Sequence, residues 1–556
     1  MKSGRDCYLN LFRYYHTLKN LKFCQIFNYL FKKKSEKLKP KEIQNISALA
    51  ENLRNNFSVL NDSEKQIEFS FFNQPISIDL NDIGWLHNDF KGIAEKHWLK
   101  ELNSFEWIDN KKETKLNNNQ ISYIVLSWIA KNNNELSETW ESNTLSKRIF
   151  SWVKWVKNNK IKPEILSIVK ISIYLQLKRL CFDFDDSLGN ELLENFKGFI
   201  AGCSYLIDSK QYFDNVLEYQ LSIVLKSIKE QINEQILKDG AHFERSPMYH
   251  LFMLDNIKEI RKIALFLSEQ RFLLPEILEN SLKIVALCDE KIPLMTEWLK
   301  IMTMPDGEVV QFNDSTRLKG ISSKFDNFTK LFDISGFFVK HNNDYSFILS
   351  CGAPSPAYLP EHSHCDILSY EFAIGDKRLI IDSGCNGYDN ETLRQMCRET
   401  EAHNLPMIQG QEQSDIWGVN YFGKRARILK RKYIESESKL ELVIEDQFRQ
   451  IIQRDIIFSK KHIIINDSLK KRRINGNFIT LIHLAPGIEP EVYPSQDDLK
   501  IIYCKVNEIL KFNITTSANV RIGEYISFPD FCKSMGAKML IFSNKEKEVL
   551  NYDIKW

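Results

Sequence analysis

Glycine and proline are unevenly distributed along this 556-residue chain, and that distribution constrains the fold more than any other feature. Residues 1–300 contain only 7 of the 21 glycines and 6 of the 15 prolines. Because both residues interrupt regular secondary structure, their scarcity favours long helices in this part. Apolar side chains recur with helical period in residues 146–159 and again in residues 219–237. From about residue 335 the pattern changes to short apolar and β-branched runs separated by turn residues, which is typical of an antiparallel β-sandwich.

Length and composition limit the class of protein. A chain of this length predicts two or three domains. The net charge of +2 argues against a general nucleic-acid-binding protein. No apolar run reaches the length of a transmembrane helix. The 11 cysteines contain no CxxC pair, which predicts reduced, mostly buried thiols rather than a disulfide framework.

The N-terminal 45 residues are locally basic and include the run FKKKSEKLKPK. We interpret them as a solvated arm, with contact to a membrane surface as the alternative. The first residues lack the continuous apolar segment of a secretory signal. We therefore expect a cytoplasmic location, with the cell envelope or periplasm as the alternative.

Two of the 11 histidines stand two residues apart in the sequence EHSHCD, as His362 and His364. In an extended strand both side chains would lie on the same face. His364 is followed 18 residues later by Asp382, and His403 lies farther along the chain. Two imidazoles and one carboxylate are a natural ligand set for zinc. By themselves these residues leave a metal site, a catalytic base and hydrogen-bonded structural histidines open as alternatives.

A second cluster of polar residues occurs in DGAHFERSPMYH, residues 239–250. Ser246 is a predicted helix N-cap and Pro247 the first helical residue. Tyr249 then lies in the first helical turn, where the helix N-terminus stabilises negative charge. A tyrosine there can donate a proton, or accept one as tyrosinate; packing against a neighbouring helix is the alternative.

Two further segments carry polar side chains near predicted element boundaries. Asn190 precedes an apolar helical face and is a predicted N-cap. The loop of residues 304–315, MPDGEVVQFNDS, lies where the helical pattern gives way to strands, which is a usual place for a cleft.

Together these segments resemble the signature segments of the heparinase II/III family of polysaccharide lyases. The segments that carry the resemblance occur in the family's order: DGAHFERSPMYH, PDGEVVQFNDS, HSHCDILSYEFAIGDKRLIIDSGCNGY and RETEAHN. Upstream, WLKELNSFEWID and WESNTLSKRIFSWVKWV resemble the amino-terminal part of members from exopolysaccharide and capsule gene clusters. The resemblance covers roughly residues 85–430.

This resemblance implies an α+β multidomain fold, with an incomplete α/α toroid followed by an antiparallel β-sandwich. We predict a basic arm at residues 1–45, a helical domain at 46–315 and a β-sandwich domain at 316–556. In the family the substrate cleft lies between the two large domains.

The resemblance also implies roles for individual residues. Tyr249 and His362 correspond to the catalytic tyrosine and histidine, and Asn190 to an asparagine that binds the substrate carboxylate. The implied ligands of a structural zinc ion are His364, Asp382 and His403. Further predicted substrate contacts are Glu191, His242, Arg245, Tyr388 and Arg398. Glu191 stands where the family pattern has a histidine.

The family cleaves uronate-containing polysaccharides by β-elimination, so the resemblance implies a lyase acting on an acidic glycan in capsule or exopolysaccharide metabolism. A uronate C5-epimerase and a glycan-binding protein of polysaccharide biosynthesis are the alternatives, and Glu191 favours the second of these. The predicted partner is an acidic polysaccharide, and no nucleic acid is expected. The sequence leaves the oligomeric state open, with a homodimer among the alternatives.

Overall fold

The chain divides into two compact units. The computed structural model describes residues 13–23, 25, 40–55, 66–90, 96–108, 116–134, 137–184, 188–209, 211–322, 327–495, 498–506, 509–544 and 548–556. One unit, called the β unit, consists of Met1–Lys22, Ile236–Phe252 and Pro293–Trp556. The other, called the helical unit, consists of Phe23–Gln235 and Met253–Ile292.

The helical unit is built from the long helices that the scarcity of glycine and proline predicts. Its helices are α1 (Pro40–Asn55), α2 (Lys96–Ser104), α3 (Asn118–Lys131), α4 (Ser142–Asn158), α5 (Pro163–Leu180), α6 (Asn190–Leu206) and α7 (Asn215–Gln235). Two more helices, α8 (Pro247–Ser268) and α9 (Pro275–Ile301), each contribute residues to both units. A short antiparallel hairpin, β1 (Gln66–Phe71) with β2 (Gln74–Asp79), accompanies them.

Helices α4 and α6 pack closely because one of them carries glycine at the contact. A Cβ atom at Gly198 would lie 2.3 Å from the carbonyl oxygen of Ser146. The apolar face predicted for α4 is buried, with Ile149 and Trp152 fully enclosed and Val156 nearly so. The helical period in the sequence is therefore confirmed as an inward-facing stripe.

The β unit contains three larger antiparallel sheets. The five-stranded sheet has the order β3 (Asn327–Phe332), β4 (Phe337–Asn342), β5 (Tyr345–Ser350), β6 (Tyr370–Ile374) and β7 (Lys377–Ile380). The four-stranded sheet joins β8 (Pro406–Ile408), β15 (Phe478–His483), β20 (Lys533–Ser543) and β19 (Asn519–Asp530). The eight-stranded sheet joins β11 (Arg427–Ile434), β12 (Lys439–Glu445), β13 (Ile451–Phe458), β14 (His462–Lys471), β21 (Val549–Lys555), β18 (Ile509–Thr516), β17 (Lys500–Val506) and β16 (Glu489–Pro494). A small hairpin of β9 (Ile416–Trp417) and β10 (Tyr421–Phe422) and the helix α10 (Glu391–Arg398) also belong to the unit.

One apolar core links the three sheets. It contains side chains from the five-stranded sheet, such as Phe347, from the eight-stranded sheet, such as Ile456, and from the four-stranded sheet, such as Leu540. Within β12 and β13 every second residue is buried, which is the alternation predicted for a strand with one face on a core. The prediction of an α+β chain with helices first and antiparallel sheets after them is confirmed, while closure of the helices into a toroid stays a prediction.

The segment that follows the last long helix packs with the five-stranded sheet. Trp298, Met302 and Phe312 pack into an apolar cluster with Phe337 and Val339 of the five-stranded sheet. Their burial against that sheet places Pro293–Trp556 in the β unit. The segment Ile236–Phe252, predicted within the helical domain, belongs to the β unit as well.

The cysteines and helices of the described residues bear on two properties predicted from the sequence, the state of the thiols and the lack of a membrane-spanning segment. There the cysteines are free thiols, and all but Cys532 are buried. Within the same residues, no helix is both long and apolar enough to cross a membrane.

Candidate active site

The predicted helix start at Ser246 is confirmed and positions Tyr249. Helix α8 begins at Pro247, and the Ser246 Oγ accepts a hydrogen bond from the Tyr249 N–H at 3.1 Å. The same hydroxyl donates to the carbonyl oxygen of Asp314 at 2.6 Å. The N-cap therefore also fastens the start of the helix to the loop of residues 304–315.

The EHSHCD segment is an irregular loop that precedes β6, not a strand. The Asp314 N–H donates to the His362 carbonyl oxygen at 3.1 Å, and the His364 N–H donates to Asn313 Oδ1 at 3.0 Å. Asn313 in turn donates to the Arg245 carbonyl oxygen at 2.9 Å. Three segments that are distant in sequence are thus joined by main-chain and amide hydrogen bonds around the two histidines.

Asp314 is the hub of the cluster. Its Oδ2 accepts from His362 Nδ1 at 2.9 Å, and its Oδ1 accepts from His364 Nε2 at 2.8 Å. The Arg394 guanidinium binds both carboxylate oxygens, and the Tyr388 hydroxyl donates to Oδ2 at 3.1 Å. Burial alone would raise the pKa of Asp314, but Arg394 and the two histidines hold it well below its usual range. Both histidines of the loop therefore face one buried carboxylate.

Tyr249, His362 and Tyr388 form a compact group next to Asp314. The Tyr249 ring stacks on the His362 imidazole with centroids 3.9 Å apart. The Tyr249 and Tyr388 hydroxyls are 2.6 Å apart. Burial and the charge of Asp314 raise the pKa of Tyr249 well above its usual value. Of the two roles that the sequence left open for Tyr249, this environment favours the proton donor.

A second buried carboxylate, Glu244, lies on the other side of the His362 ring. His362 Nε2 is 3.7 Å from Glu244 Oε2 and 3.7 Å from Glu361 Oε1. Burial would lower the pKa of His362, but Glu244, Asp314 and Glu361 outweigh it and raise the pKa to about 9. His242 lies beside Glu244, with Nδ1 3.7 Å from Oε2, and burial lowers the pKa of His242 well below its usual value.

Three members of this cluster were not singled out from the sequence. Asp314 lies in the polar loop of residues 304–315, where the sequence does not distinguish it from the other polar side chains. Glu244 lies inside the segment that carries Tyr249, and its position between two predicted site residues is a signal that could have identified it. Arg394, on α10, has no sequence signal that links it to Asp314, 80 residues away.

Two predicted substrate contacts, Arg245 and Arg398, have guanidinium groups that bind main-chain carbonyl oxygens. Arg245 donates to Ala353 and, at 3.1 Å, to Ile334. Arg398 is fully buried and donates to Val419 at 2.7 Å and to Ser363 at 3.3 Å. These contacts favour a structural role for both side chains, and their contact with substrate stays a prediction. Tyr388, by contrast, is joined directly to Tyr249.

Asn190 and Glu191 lie in the helical unit as the first two residues of α6. Gly189 is the N-cap, one residue before the predicted cap at Asn190. Glu191 Oε1 accepts a hydrogen bond from Asn143 Nδ2 at 2.8 Å. Both side chains are partly exposed. Their contact with substrate stays a prediction.

The predicted zinc ligands lie together in the β unit. His403 Nδ1 is 2.8 Å from Asp382 Oδ2, which also accepts from the Ser369 hydroxyl at 3.0 Å. The His364 and His403 rings have centroids 5.5 Å apart. His364 Nδ1 and His403 Nε2 are buried without a hydrogen-bond partner.

These three residues fit zinc by their donor chemistry but are not arranged as a finished coordination shell. Buried imidazole nitrogens without a partner are the donors that a metal ion would satisfy. His364, however, uses its other nitrogen to bind Asp314, and His403 binds Asp382 directly. Among the described residues, no group of three or more histidine, cysteine or acidic side chains is positioned to hold a metal ion. Zinc at this site stays a prediction.

Comparison with known proteins identifies the family of the chain. The model of the heparinase II/III N-terminus matches residues 5–336, and that of the heparinase II/III-like C-terminal region matches residues 328–542. No curated protein sequence gives a significant match. A crystal structure of heparinase III is similar with a TM-score of 0.63 and 17% identity over 98% of this chain and 88% of that one. A heparinase III gene product is similar with a TM-score of 0.59 and 14% identity, covering 95% and 87% of the two chains. A mutant of the heparan sulfate lyase from Pedobacter heparinus gives a TM-score of 0.55 and 15% identity, covering 99% and 88%. With family models matching from residue 5 to residue 542, the chain belongs to the heparinase II/III family.

Proposed function

We propose that this protein is a polysaccharide lyase that cleaves a uronate-containing glycan by β-elimination, in capsule or exopolysaccharide metabolism. The observation that carries the proposal is the stacking of Tyr249 on His362, with the Tyr249 hydroxyl 2.6 Å from that of Tyr388. Elimination needs one group to remove a proton and another to supply one, and the two must lie side by side. Membership of the heparinase II/III family and the fold shared with solved lyases support the same reaction class.

The chemistry divides between these side chains. With a pKa of about 9, His362 is mostly protonated at neutral pH, so the reacting form is its deprotonated fraction. This neutral imidazole takes the proton from C5 of the uronate, and the electron pair of that C–H bond forms the new C4–C5 double bond. The C4–O bond breaks, and its electron pair stays on the leaving glycosidic oxygen. Tyr249 donates its hydroxyl proton to that oxygen. Afterwards His362 releases the C5 proton to solvent, and the Tyr249 oxygen recovers a proton from solvent through the Tyr388 hydroxyl.

The carboxylates around His362 support its part in this scheme. Asp314 accepts the hydrogen bond from Nδ1, which fixes the ring orientation and leaves Nε2 for the reaction. Glu244 and Glu361 lie near Nε2, and negative charge there makes the neutral imidazole a stronger base. His362 is thus oriented by Asp314 at Nδ1, while its Nε2 is the atom proposed to accept the C5 proton of the substrate.

The proposed structural zinc ion would be held by His364, Asp382 and His403. When bound, it would supply positive charge that fixes the loop around residues 382–403. None of the proton transfers above depends on it, because they are made by His362, Tyr249 and Tyr388.

A panel of uronate polysaccharides tests the proposal. The purified protein is incubated with each glycan, and ultraviolet absorbance reports the C4–C5 double bond. A rise with wild-type protein and none with Tyr249→Phe would support the lyase. Solvent deuterium at C5 without cleavage would indicate the epimerase instead, and binding with neither signal would indicate a glycan-binding protein. Either of the last two outcomes would contradict the proposal.

A further inference from the structure

Residues 13–22, called here the N-terminal strap, are attached to the β unit rather than extended into solvent. Arg13 Nε donates to both carboxylate oxygens of Asp415, at 3.0 and 3.1 Å. The Thr17 hydroxyl donates to the Phe422 carbonyl oxygen at 3.0 Å and accepts from Trp417 Nε1 at 3.3 Å. These contacts correct the interpretation of the N-terminal arm as solvated, for this part of it. The basic residues 31–39 lie outside the described residues.

All of these contacts reach one hairpin, residues 413–425, called here the platform hairpin. Its strands β9 and β10 are closed by main-chain hydrogen bonds at Asp415, which accepts from Gly423 and donates to Lys424 at 2.7 Å each. A Cβ atom at Gly423 would lie 2.3 Å from Asp415 Oδ2, so a larger residue there would displace this carboxylate. The carboxylate that Arg13 binds thus packs against the hairpin backbone, with its side chain only 14% exposed.

The inner face of the platform hairpin contacts the loop that carries the two site histidines. Ile416 and Phe422 pack against Cys365, the residue that follows His364. The Cys365 thiol donates to the Ser414 carbonyl oxygen at 3.7 Å. The hairpin thus packs against the loop that carries His362 and His364, called here the histidine loop.

The Arg398 side chain makes a second connection between the platform hairpin and the histidine loop. Its guanidinium donates to the Val419 carbonyl oxygen at the hairpin tip and to the Ser363 carbonyl oxygen between the two histidines. It also lies over the Phe422 ring, 5.0 Å from the centroid. A displacement of the hairpin would therefore reach Ser363 through one buried side chain.

The strap has a second attachment, at the segment that leads into the histidine loop. Lys22 Nζ lies over the Tyr358 ring, 4.2 Å from its centroid. From the platform hairpin, Arg425 donates to the Ala357 carbonyl oxygen at 2.7 Å. Ser355 is bound in turn to the Ser363 hydroxyl through its N–H, at 3.0 Å. The strap and the hairpin thus each contact the segment that leads to His362, at Tyr358 and Ala357 respectively.

We propose that the N-terminal strap is a positioning element of the active site, which holds the platform hairpin and residues 353–361 so that His362 stays stacked on Tyr249. This inference rests on the proposed lyase function. Displacing a reacting group by about 1 Å can cost about a hundredfold in rate, so partial release of the hairpin should lower kcat roughly tenfold. Because the strap touches neither Tyr249 nor His362 in any described contact, KM should change little.

Charge reversal in the full-length chain tests the strap. Arg13→Glu places two carboxylates together. We expect faster hydrogen exchange in residues 355–365 and 413–425, together with the roughly tenfold decrease in kcat. Lys19→Glu is the matched control, because it makes the same charge change on an exposed strap residue without a described contact to the hairpin. The double variant Arg13→Glu with Asp415→Arg should restore exchange and kcat. If Asp415→Arg does not fold, Thr17→Val, which removes the donor to Phe422, replaces it and should raise exchange as Arg13→Glu does.

The outcomes separate the strap from the proposed function. Equal effects of Arg13→Glu and Lys19→Glu, or faster exchange with unchanged kcat, would overturn the positioning role. If wild-type protein cleaves no glycan, the proposed function fails, while hydrogen exchange still decides whether the strap holds the histidine loop.

Discussion

The Tyr249 ring lies on the face of the His362 imidazole, with centroids 3.9 Å apart and planes inclined at 28°. One ring comes from the first turn of α8, and the other from a loop more than a hundred residues later. Asp314 orients the histidine and, through Tyr388, the hydroxyl of the tyrosine. One carboxylate thus sets the geometry of both proton-transfer groups.

Removing the Tyr249 hydroxyl should abolish turnover while the fold persists. Tyr249→Phe keeps the ring that stacks on His362 but removes the proton donor, which typically costs about 10²–10⁴-fold. Initial rates of ultraviolet absorbance on the best glycan measure the loss, and circular dichroism checks the fold. Tyr388→Phe is the matched control; it should cost less, because Tyr388 only relays the proton. Near-normal activity of Tyr249→Phe would contradict the assigned role.

Neutralising Asp314 should reduce both stability and activity. Asp314→Asn leaves the buried Arg394 guanidinium without its counter-charge, and breaking a buried ion pair typically costs about 3–5 kcal/mol. Thermal unfolding measures the loss of stability, and initial rates of ultraviolet absorbance measure the loss of activity. Glu259→Gln breaks an exposed pair with Lys262 and should have little effect. A change in melting temperature no larger than that of Glu259→Gln would show that Asp314 is not the hub.

Zinc content can be predicted from the partnerless imidazole nitrogens. We expect about one zinc per chain in protein purified without chelators. His403→Ala should lose the metal and lower the melting temperature, because metal binding contributes to folding. His341→Gln, a buried histidine at another place in the β unit, should keep the metal. Wild-type protein without zinc, or His403→Ala with full zinc, would contradict the site.

Stability should fall as pH is lowered from about 6.5 to about 4, in part through His341. Its Nε2 hydrogen-bonds the Ile301 carbonyl oxygen at 2.8 Å, and its Nδ1 lies 2.9 Å from the Ser346 hydroxyl. Burial lowers the pKa of His341 to about 4, so in this window the unfolded chain binds a proton that the folded chain does not. A shift of this size corresponds to up to about 3 kcal/mol. The melting temperature of His341→Gln should therefore fall less between pH 7 and pH 5 than that of wild type; parallel curves would refute the assignment.

Local signals in the sequence predicted local structure well. Ser246 and Pro247 marked the start of α8 correctly, because an N-cap is decided by neighbouring residues. The hydrogen-bond partners of Asp314 could not be predicted, because they lie 48 to 80 residues away in the sequence, His362 in a loop and Arg394 on a helix. The contact between Arg13 and Asp415, 402 residues apart, shows the same limit. Sequence patterns describe which face of an element is buried, while such contacts depend on how the elements are assembled.

The departure at Glu191 gives a prediction about substrate charge. The family resemblance places this residue at the substrate carboxylate, where the pattern has a histidine. Two like charges about 4 Å apart at an effective dielectric near 20 repel by on the order of 4 kcal/mol. We therefore expect Glu191→His to raise elimination on uronate glycans, because it replaces the repulsion with a hydrogen-bond donor.

Glu191→Gln separates the two contributions to that gain. It removes the charge, keeps the length of the side chain and can still accept the hydrogen bond from Asn143. If repulsion alone restrains the reaction, Glu191→Gln and Glu191→His should accelerate it equally; if a donor is also needed, only Glu191→His should reach the full rate. Both variants are assayed beside wild type on the same glycan panel, with melting temperatures as the check on folding. Loss of activity in both variants, with folding intact, would mean that Glu191 itself takes part in the reaction and that the resemblance does not transfer at this position.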